Sequence, residues 1–294
     1  MWFLLDPPRA KEHIRRTCRV QNADGSVAHW WFPDTPIACR TNCSDDFLWL
    51  PFILCRYVNE TGDTRILDAR EPFADAGKDT VLRHALASID RALDRLSPRG
   101  LPLIGDNDWN DGMSSVGDKM KGESVWLGHF LHGILLDMAD LLAARRTLPR
   151  RAAKYRTAAR ALRAAINSHC WDGEWYTRAT TDEGAILGAK ACREGRIFLN
   201  AQTWAVIGRT ADADRADTAM RSARALLYHP YGSLLFAPPY TTPDPAIGYL
   251  TQYAPGMREN GGVYTHAAVW SVLAEAMRGD AACALNRQIG RAHV

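Results

Sequence analysis

Between Gly100 and Ser115 the chain reads "GLPLIGDNDWNDGMSS", with Asp106, Asp108, Asn110 and Asp111 set around Trp109 directly after a short apolar run. Carboxylates and amides at this density can bind a metal, cap a helix, or grip a sugar and hand it a proton. A calcium loop of the EF-hand type needs glycine at its sixth position and glutamate at its twelfth. Counted from Asp106, those positions are Asp111 and Gly117, so the template fails. Capping stays open, because Asp108 or Asn110 can satisfy loop amides and do nothing more. Acid catalysis on a glycosidic bond also stays open. It requires a carboxylic acid held protonated beside the leaving oxygen, and an aromatic neighbour favours this by desolvation. Trp109 beside Asp111 offers such a neighbour. An inverting hydrolase adds a second carboxylate that activates water. Attack by inorganic phosphate instead calls for an anion site made of cations or hydrogen-bond donors.

The elements that must hold this loop read as helices. Apolar residues recur at helical spacing in "SDDFLWLPFILCRYVNETGD", where Ser44 is the expected cap and Gly62 the expected stop. The same spacing marks "DTVLRHALASIDRALDRLSPRG", which stops at Pro98 and Gly100. "SVWLGHFLHGILLDMADLLAARR" is apolar on most sides and reads as buried. "RRAAKYRTAARALRAAINSHCW" follows a break at Pro149, with its basic residues on a solvated face. "NAQTWAVIG", "ADRADTAMRSARALLY" and "THAAVWSVLAEAMRG" complete about eight long helices. Period-two alternation is confined to pieces such as "GEWYTRAT" and "GSLLFAPPYT", which read as small hairpins. The connecting loops hold most of the tryptophan, aspartate, glycine and asparagine. Aromatic faces stack on sugar rings and carboxylates bind hydroxyls, so these loops have the composition of a carbohydrate pocket.

With 294 residues, 47% hydrophobic and 23% charged, the chain is ordinary globular material, read as one α-helical domain. A net charge of +3 predicts neither nucleic-acid nor membrane binding. No apolar run is read as membrane-spanning, and "MWFLLDPP" is too short for a signal peptide. Seven cysteines without a C-x-x-C pair argue against a disulfide framework or zinc ribbon and for a reducing, cytoplasmic location. The chain opens without a recognisable helix cap. It closes at 288–294 on "QIGRAHV", the translation of a common sequencing adapter, which is set apart from the fold.

Four motifs converge. "GLPLIGDNDWNDGM", "RTNCSDDFLWLPF", "FLNAQTWAVI" and "PGMRENGGVYTHAAVW" together resemble the inverting β-glucoside phosphorylases of the cellobiose phosphorylase group, glycoside hydrolase family 94. That group includes cellodextrin, chitobiose and 1,2-β-oligoglucan phosphorylases and the phosphorylase-like region of cyclic β-1,2-glucan synthases. The resemblance runs from about His29 to Leu285. It implies an all-α fold, an (α/α)6 barrel with catalysis in loops at one end. Here residues 1–287 would be a partial catalytic domain, with the family's N-terminal β-sandwich domain absent. It also implies that Asp111 is the general acid, that Trp109 lines the donor glucose site, and that Arg40 and Asp46 hold donor hydroxyls. Gln202 is implied to face the cleft, and His266 to bind phosphate. Arg258 stands where cellobiose-type members have an acceptor-site lysine. A guanidinium fork binds hydroxyls differently from an ammonium, which leaves the acceptor open. Glu259 is an acceptor-site ligand or merely brackets its loop.

The expected reaction is phosphorolysis of a β-linked glucosyl disaccharide or oligosaccharide to α-glucose 1-phosphate. Inorganic phosphate is a co-substrate, with no other cofactor and no metal. The resemblance also allows a homodimer of the full-length protein, and an isolated piece with wet helix faces would be unstable or inactive. Two rivals stand. One is an inverting β-glycoside hydrolase, with Glu259 as the base. The other is a non-catalytic glucan-binding or chain-length-control module of a cyclic β-glucan synthase. Residue by residue, the plainer readings are an Arg40–Asp45 ion pair, a first-turn helix acid at Asp46, a helix-start acid at Glu123, packing roles for Trp30 and Trp31, and a cap or core histidine at His266.

Overall fold

The computed structural model describes residues 5–32 and 38–286; the stretch set apart at 288–294 lies outside them. The chain forms two compact units, Met1–Leu96 with Ile134–Ala158, and Ser97–Gly133 with Ala159–Val294. Among the described residues nine α-helices carry the fold, eight of them nine residues or longer, and every strand has two or three residues. The all-α expectation and the small hairpins are both met.

In the first unit, α1 (Pro7–Arg19), α2 (Trp49–Thr61) and α3 (Val81–Leu93) bury Ile14, Leu54, Ile66, Leu86 and Ile89 completely. The start of α1 corrects the sequence reading. The Asp6 carboxylate accepts from the Arg9 N–H at 3.1 Å, and proline opens the helix, where its missing N–H costs nothing. Ser44, by contrast, does not stand at a cap position. A 3-10 turn, Asp46–Leu48, runs into α2; Asp45 flanks the turn, Leu48 flanks α2, and neither element has a side-chain cap. α2 does end on Gly62, at φ 68°.

A hairpin of β1 (Arg70–Pro72) and β2 (Lys78–Thr80) carries Glu71 into this unit. Its carboxylate meets Arg15 Nε at 2.5 Å and Arg19 Nε at 2.7 Å. Burial pushes the Glu71 pKa up, but hydrogen bonds from Arg19 and Arg15 outweigh that and leave it below the ordinary value. A carboxylate with a depressed folded pKa contributes stability above its unfolded pKa, roughly 4.3, and loses it as pH falls through the folded value. Glu71→Gln is therefore expected to destabilise by about 1–2 kcal/mol at neutral pH, the two guanidiniums being partly hydrated. Urea melts should show the gap to wild type closing below about pH 4; a gap constant from pH 7 to 3 would remove the ion pairs as its cause.

Two long helices, α4 (Val125–Ala144) and α5 (Pro149–His169), contribute residues to both units. By length and composition α4 is long and apolar enough to cross a membrane, which corrects the sequence reading. Most of it is buried inside the protein, with Trp126, Phe130, Leu131, Leu135 and Met138 fully covered, as befits a core helix. Pro149 occupies the first position of α5, so the predicted break is a helix start. Ala152, Tyr155, Ala159, Leu162 and Ile166 are the inward stripe of α5, and Lys154 and Arg160 are exposed as expected.

The second unit adds α6 (Leu199–Ile207), α7 (Ala213–Leu227), α8 (Thr265–Met277) and the short α9 (Ala281–Asn286). α6 packs on both α7 and α8, and eight of its nine residues are buried. α6 ends at Gly208, whose backbone touches α4. A Cβ there would lie 2.1 Å from the His129 carbonyl oxygen, so only glycine allows the approach. His132 Nδ1 donates to the Gly208 carbonyl at 2.6 Å and seals the crossing. A three-stranded antiparallel sheet of β3 (Glu123–Ser124), β4 (Ala179–Thr180) and β5 (Ile186–Leu187) lies at the foot of the acidic loop.

Candidate active site

The acidic loop is held by a buried ion pair that the sequence did not disclose. Arg178, 1% exposed, reaches Asp108, 0% exposed, at 2.5 Å. The other Asp108 oxygen accepts from Ser124 Oγ at 2.6 Å, and the first also accepts from the Asn110 N–H at 3.0 Å. Asn110 Oδ1 takes the Gly112 N–H at 3.2 Å. Asp108 and Asn110 thus spend their oxygens on shaping the turn, the plainer of their two readings. The loop is also joined to a later segment. The Leu250 N–H donates to the Gly112 carbonyl at 3.0 Å, and a Cβ on Gly112 would strike Leu250 Cβ at 2.5 Å. Trp109 and Asp111 project from this pinned turn, both half-buried.

Trp109 is a hub. Its ring lies 5.2 Å from Tyr264, 5.0 Å from Trp270 and 6.4 Å from Trp126, centre to centre. Its indole N–H points at His266 Nδ1, 3.0 Å away. His266 is the second residue of α8 and its ring centre is 4.3 Å from that of Trp270. One edge of His266 is open to solvent, while loss of water on the packed side lowers its pKa.

Around Asp111 the charges and phenols are close enough to feel one another. Burial first, then the charge of Asp111, pushes the Tyr249 pKa up to about 12. Tyr264 is raised by burial, by the charge of Glu259 and its hydrogen bond, and then by Asp111. Both phenols therefore stay protonated near neutral pH, Tyr249 as a donor for a hydroxyl or an oxyanion and Tyr264 with its one O–H directed at Glu259. The loop with Arg258 and Glu259 is anchored by Asn260, fully buried, whose amide donates to the carbonyls of Tyr240 at 2.9 Å and Tyr253 at 2.8 Å. Arg258 sits at φ 48°, an uncommon conformation for a residue with a side chain. Its guanidinium lies over the Tyr253 ring, 4.6 Å from the centre, and is 63% exposed. Arg258 Nε is 3.4 Å from Glu259 Oε2. The second unit thus brings together Trp109, Asp111, Arg258, Glu259 and His266, with Tyr249, Tyr253 and Tyr264. No sequence signal singled out those tyrosines; Tyr249 and Tyr264 meet the acidic loop through Ser114 and Trp109, while Tyr253 is held by its near neighbours Tyr249, Arg258 and Asn260.

Gln202 corrects the sequence reading. It is fully buried, its Oε1 accepts from the Tyr176 N–H at 2.8 Å, and its amide donates to the carbonyls of Tyr176 and Phe198 at 2.8 and 3.0 Å. Those bonds fasten α6 to the preceding loop and use both ends of the amide on backbone groups. Arg40 and Asp46 belong to the first unit. Arg40 is exposed, and Asp45, its alternative ion-pair partner, accepts from the Trp49 indole at 2.9 Å. Asp46 opens its 3-10 turn and bonds His29 Nδ1 at 2.9 Å. Trp30 is half-exposed and packs edge-on against Phe32 at 5.7 Å. Glu123 is buried in an ion pair with Arg99, a structural task. Two groups of side chains could converge on a cation: His29, Cys43 and Asp46, and Glu275, Asp280 and Cys283. The second already carries Arg224 and Arg278. All seven cysteines are free thiols.

Comparison with known proteins agrees with the motifs. Residues 2–293 match the family described as Glycosyl hydrolase 94 superfamily, catalytic domain. The chain is 38% identical over 294 residues to the cyclic beta-(1,2)-glucan synthase NdvB of Rhizobium meliloti (strain 1021), covering 92% of this chain and 10% of that protein. It is 36% identical over 275 residues to the solabiose phosphorylase of Paenibacillus borealis, covering 93% of this chain and 35% of that one. The chain therefore spans well under two thirds of the length of either relative. A solved rhamnosidase from Klebsiella oxytoca with rhamnose bound superposes at a TM-score of 0.61 and 15% identity, over 96% of this chain and 44% of that one. That likeness concerns the fold alone, and it agrees with an all-α fold of the (α/α)-barrel glycosidase type. On a family match over nearly its whole length and relatives above one-third identity, the chain belongs to the glycosyl hydrolase 94 superfamily, in its catalytic domain.

Proposed function

We propose that this chain carries the catalytic machinery of an inverting phosphorylase acting on a β-linked glucosyl disaccharide or oligosaccharide. The observation that carries this reading is the meeting of the Asp111 loop with His266 through the Trp109 indole, 3.0 Å across. Asp111 donates its proton to the glycosidic oxygen as the bond to the anomeric carbon breaks. A phosphate oxygen forms the new bond to that carbon from the opposite face. The products are α-glucose 1-phosphate and a sugar shortened by one unit. His266 and the protonated phenol of Tyr249 offer neutral donors for oxyanion and hydroxyls. Arg258, splayed over Tyr253, is the residue that meets the acceptor. Free thiols throughout fit a reducing compartment, and we place the protein in the cytoplasm.

One observation favours the hydrolase as a second reading. Glu259 is buried, and it shares the neighbourhood of Tyr249 and Tyr264 with Asp111, where a water-activating base would sit. A single experiment separates the two. The intact protein is given a panel of β-linked glucose disaccharides with and without inorganic phosphate, and the anomeric configuration of the product is read by NMR. Release of α-glucose 1-phosphate only when phosphate is present supports the phosphorylase; free glucose released at the same rate without phosphate sinks it.

A further inference from the structure

We infer that Trp109 acts as a positioning residue, its indole N–H fixing His266 as a neutral imidazole with the proton on Nε2. An indole nitrogen is a donor and never an acceptor. At 3.0 Å from Trp109 Nε1, His266 Nδ1 must therefore offer a lone pair. The ring's one remaining proton is then on Nε2. A doubly protonated ring would set Nδ1–H against the indole N–H, so the contact opposes the imidazolium. The surroundings act in the same direction. Trp109 at 5.4 Å and Trp270 at 4.3 Å pack on the imidazole, and loss of water on that side lowers its pKa. Trp109 is itself held between Tyr264, Trp126 and Trp270, which limits its freedom to swing away.

The consequence rests on the phosphorylase reading proposed above. A neutral Nε2–H presents one directed donor to a phosphate oxygen. It adds no positive charge beside the loop of Asp111, where a cation would favour the ionised acid and work against proton donation. The tautomer matters because the wrong one would present a lone pair to the anion, which repels it.

The test labels histidine with 15N in the intact protein and reads the ring nitrogens by NMR. Of nine histidines, His266 is assigned by the signal missing in His266→Gln. The expected spectrum is that of a neutral ring protonated on Nε2 at neutral pH. Trp109→Phe keeps an aromatic ring, though a smaller one, among Tyr264, Trp126 and Trp270 and removes the N–H. It should replace the single tautomer with a mixture and raise the KM for inorganic phosphate roughly tenfold, with a smaller change in kcat. A wild-type ring found as the imidazolium or protonated on Nδ1 overturns the inference, with no variant needed. An unchanged tautomer and phosphate KM in a folded Trp109→Phe protein overturn it as well. The expected spectrum in a protein that turns over without phosphate upholds the pairing and rejects the phosphorylase reading.

Discussion

Asp111→Asn is expected to lower kcat/KM for a β-linked glucose disaccharide by roughly 10²–10⁴-fold, the range over which positioned general acids act. The substitution is nearly isosteric, and Asp111 takes no part in the Asp108–Arg178 pair that pins the turn. Thermal melts of variant and wild type should therefore superpose within a degree or two. An asparagine can still hydrogen-bond the departing oxygen but has no proton to give up. The loss should thus depend on how badly the leaving group needs one. With β-glucosyl fluoride, whose fluoride leaves as an anion when the C1–F bond breaks and needs no proton, most of the lost rate should return. That pairing of substrates is what assigns the role. Equal losses with disaccharide and fluoride would mean that Asp111 serves binding or loop geometry, and an unaffected disaccharide rate would reject it as the acid altogether.

The helices were legible because their information is local. Apolar spacing in α4 and α5, Gly62 behind α2 and Pro149 at the first position of α5 lie within a few residues of the structure they specify. Ser44 was misread because a capping residue competes with whatever tertiary contact bends the chain ahead of it, here a 3-10 turn that carries Asp46 to His29. Gln202 was misread for a related reason. Its motif contains polar side chains in an apolar helix, which looks like a cleft-facing set, but a buried amide can equally be consumed by backbone groups of a neighbouring loop. The site shows the same divide. Asp111 and Trp109 stood out by type and spacing. What orients them did not, because Arg178 lies 70 residues from Asp108 and His266 lies 157 from Trp109. Pairings of that length leave no periodic trace, and only the fold reveals them.

Arg178→Met is expected to destabilise the protein by about 3–5 kcal/mol, the cost of leaving one partner of a buried ion pair uncompensated. The variant keeps the volume and the packing near Phe198, whose ring centre is 6.0 Å from the guanidinium. It leaves the Asp108 carboxylate, fully buried, with only the Ser124 hydroxyl and the Asn110 N–H. The measurement is the urea midpoint at constant slope; a shift equivalent to less than about 1 kcal/mol would show that the pair carries little of the stability. The double variant Asp108→Asn with Arg178→Met removes both charges together. It should recover much of the loss, since a neutral amide can still accept from the Asn110 N–H. If the pair exists to aim the loop, the recovered stability should come without recovered turnover, because a neutral partner no longer locks the turn from which Trp109 and Asp111 project. Full recovery of both would instead make the ion pair a replaceable piece of core, and the orientation of the acid would have to come from the Gly112–Leu250 contact alone.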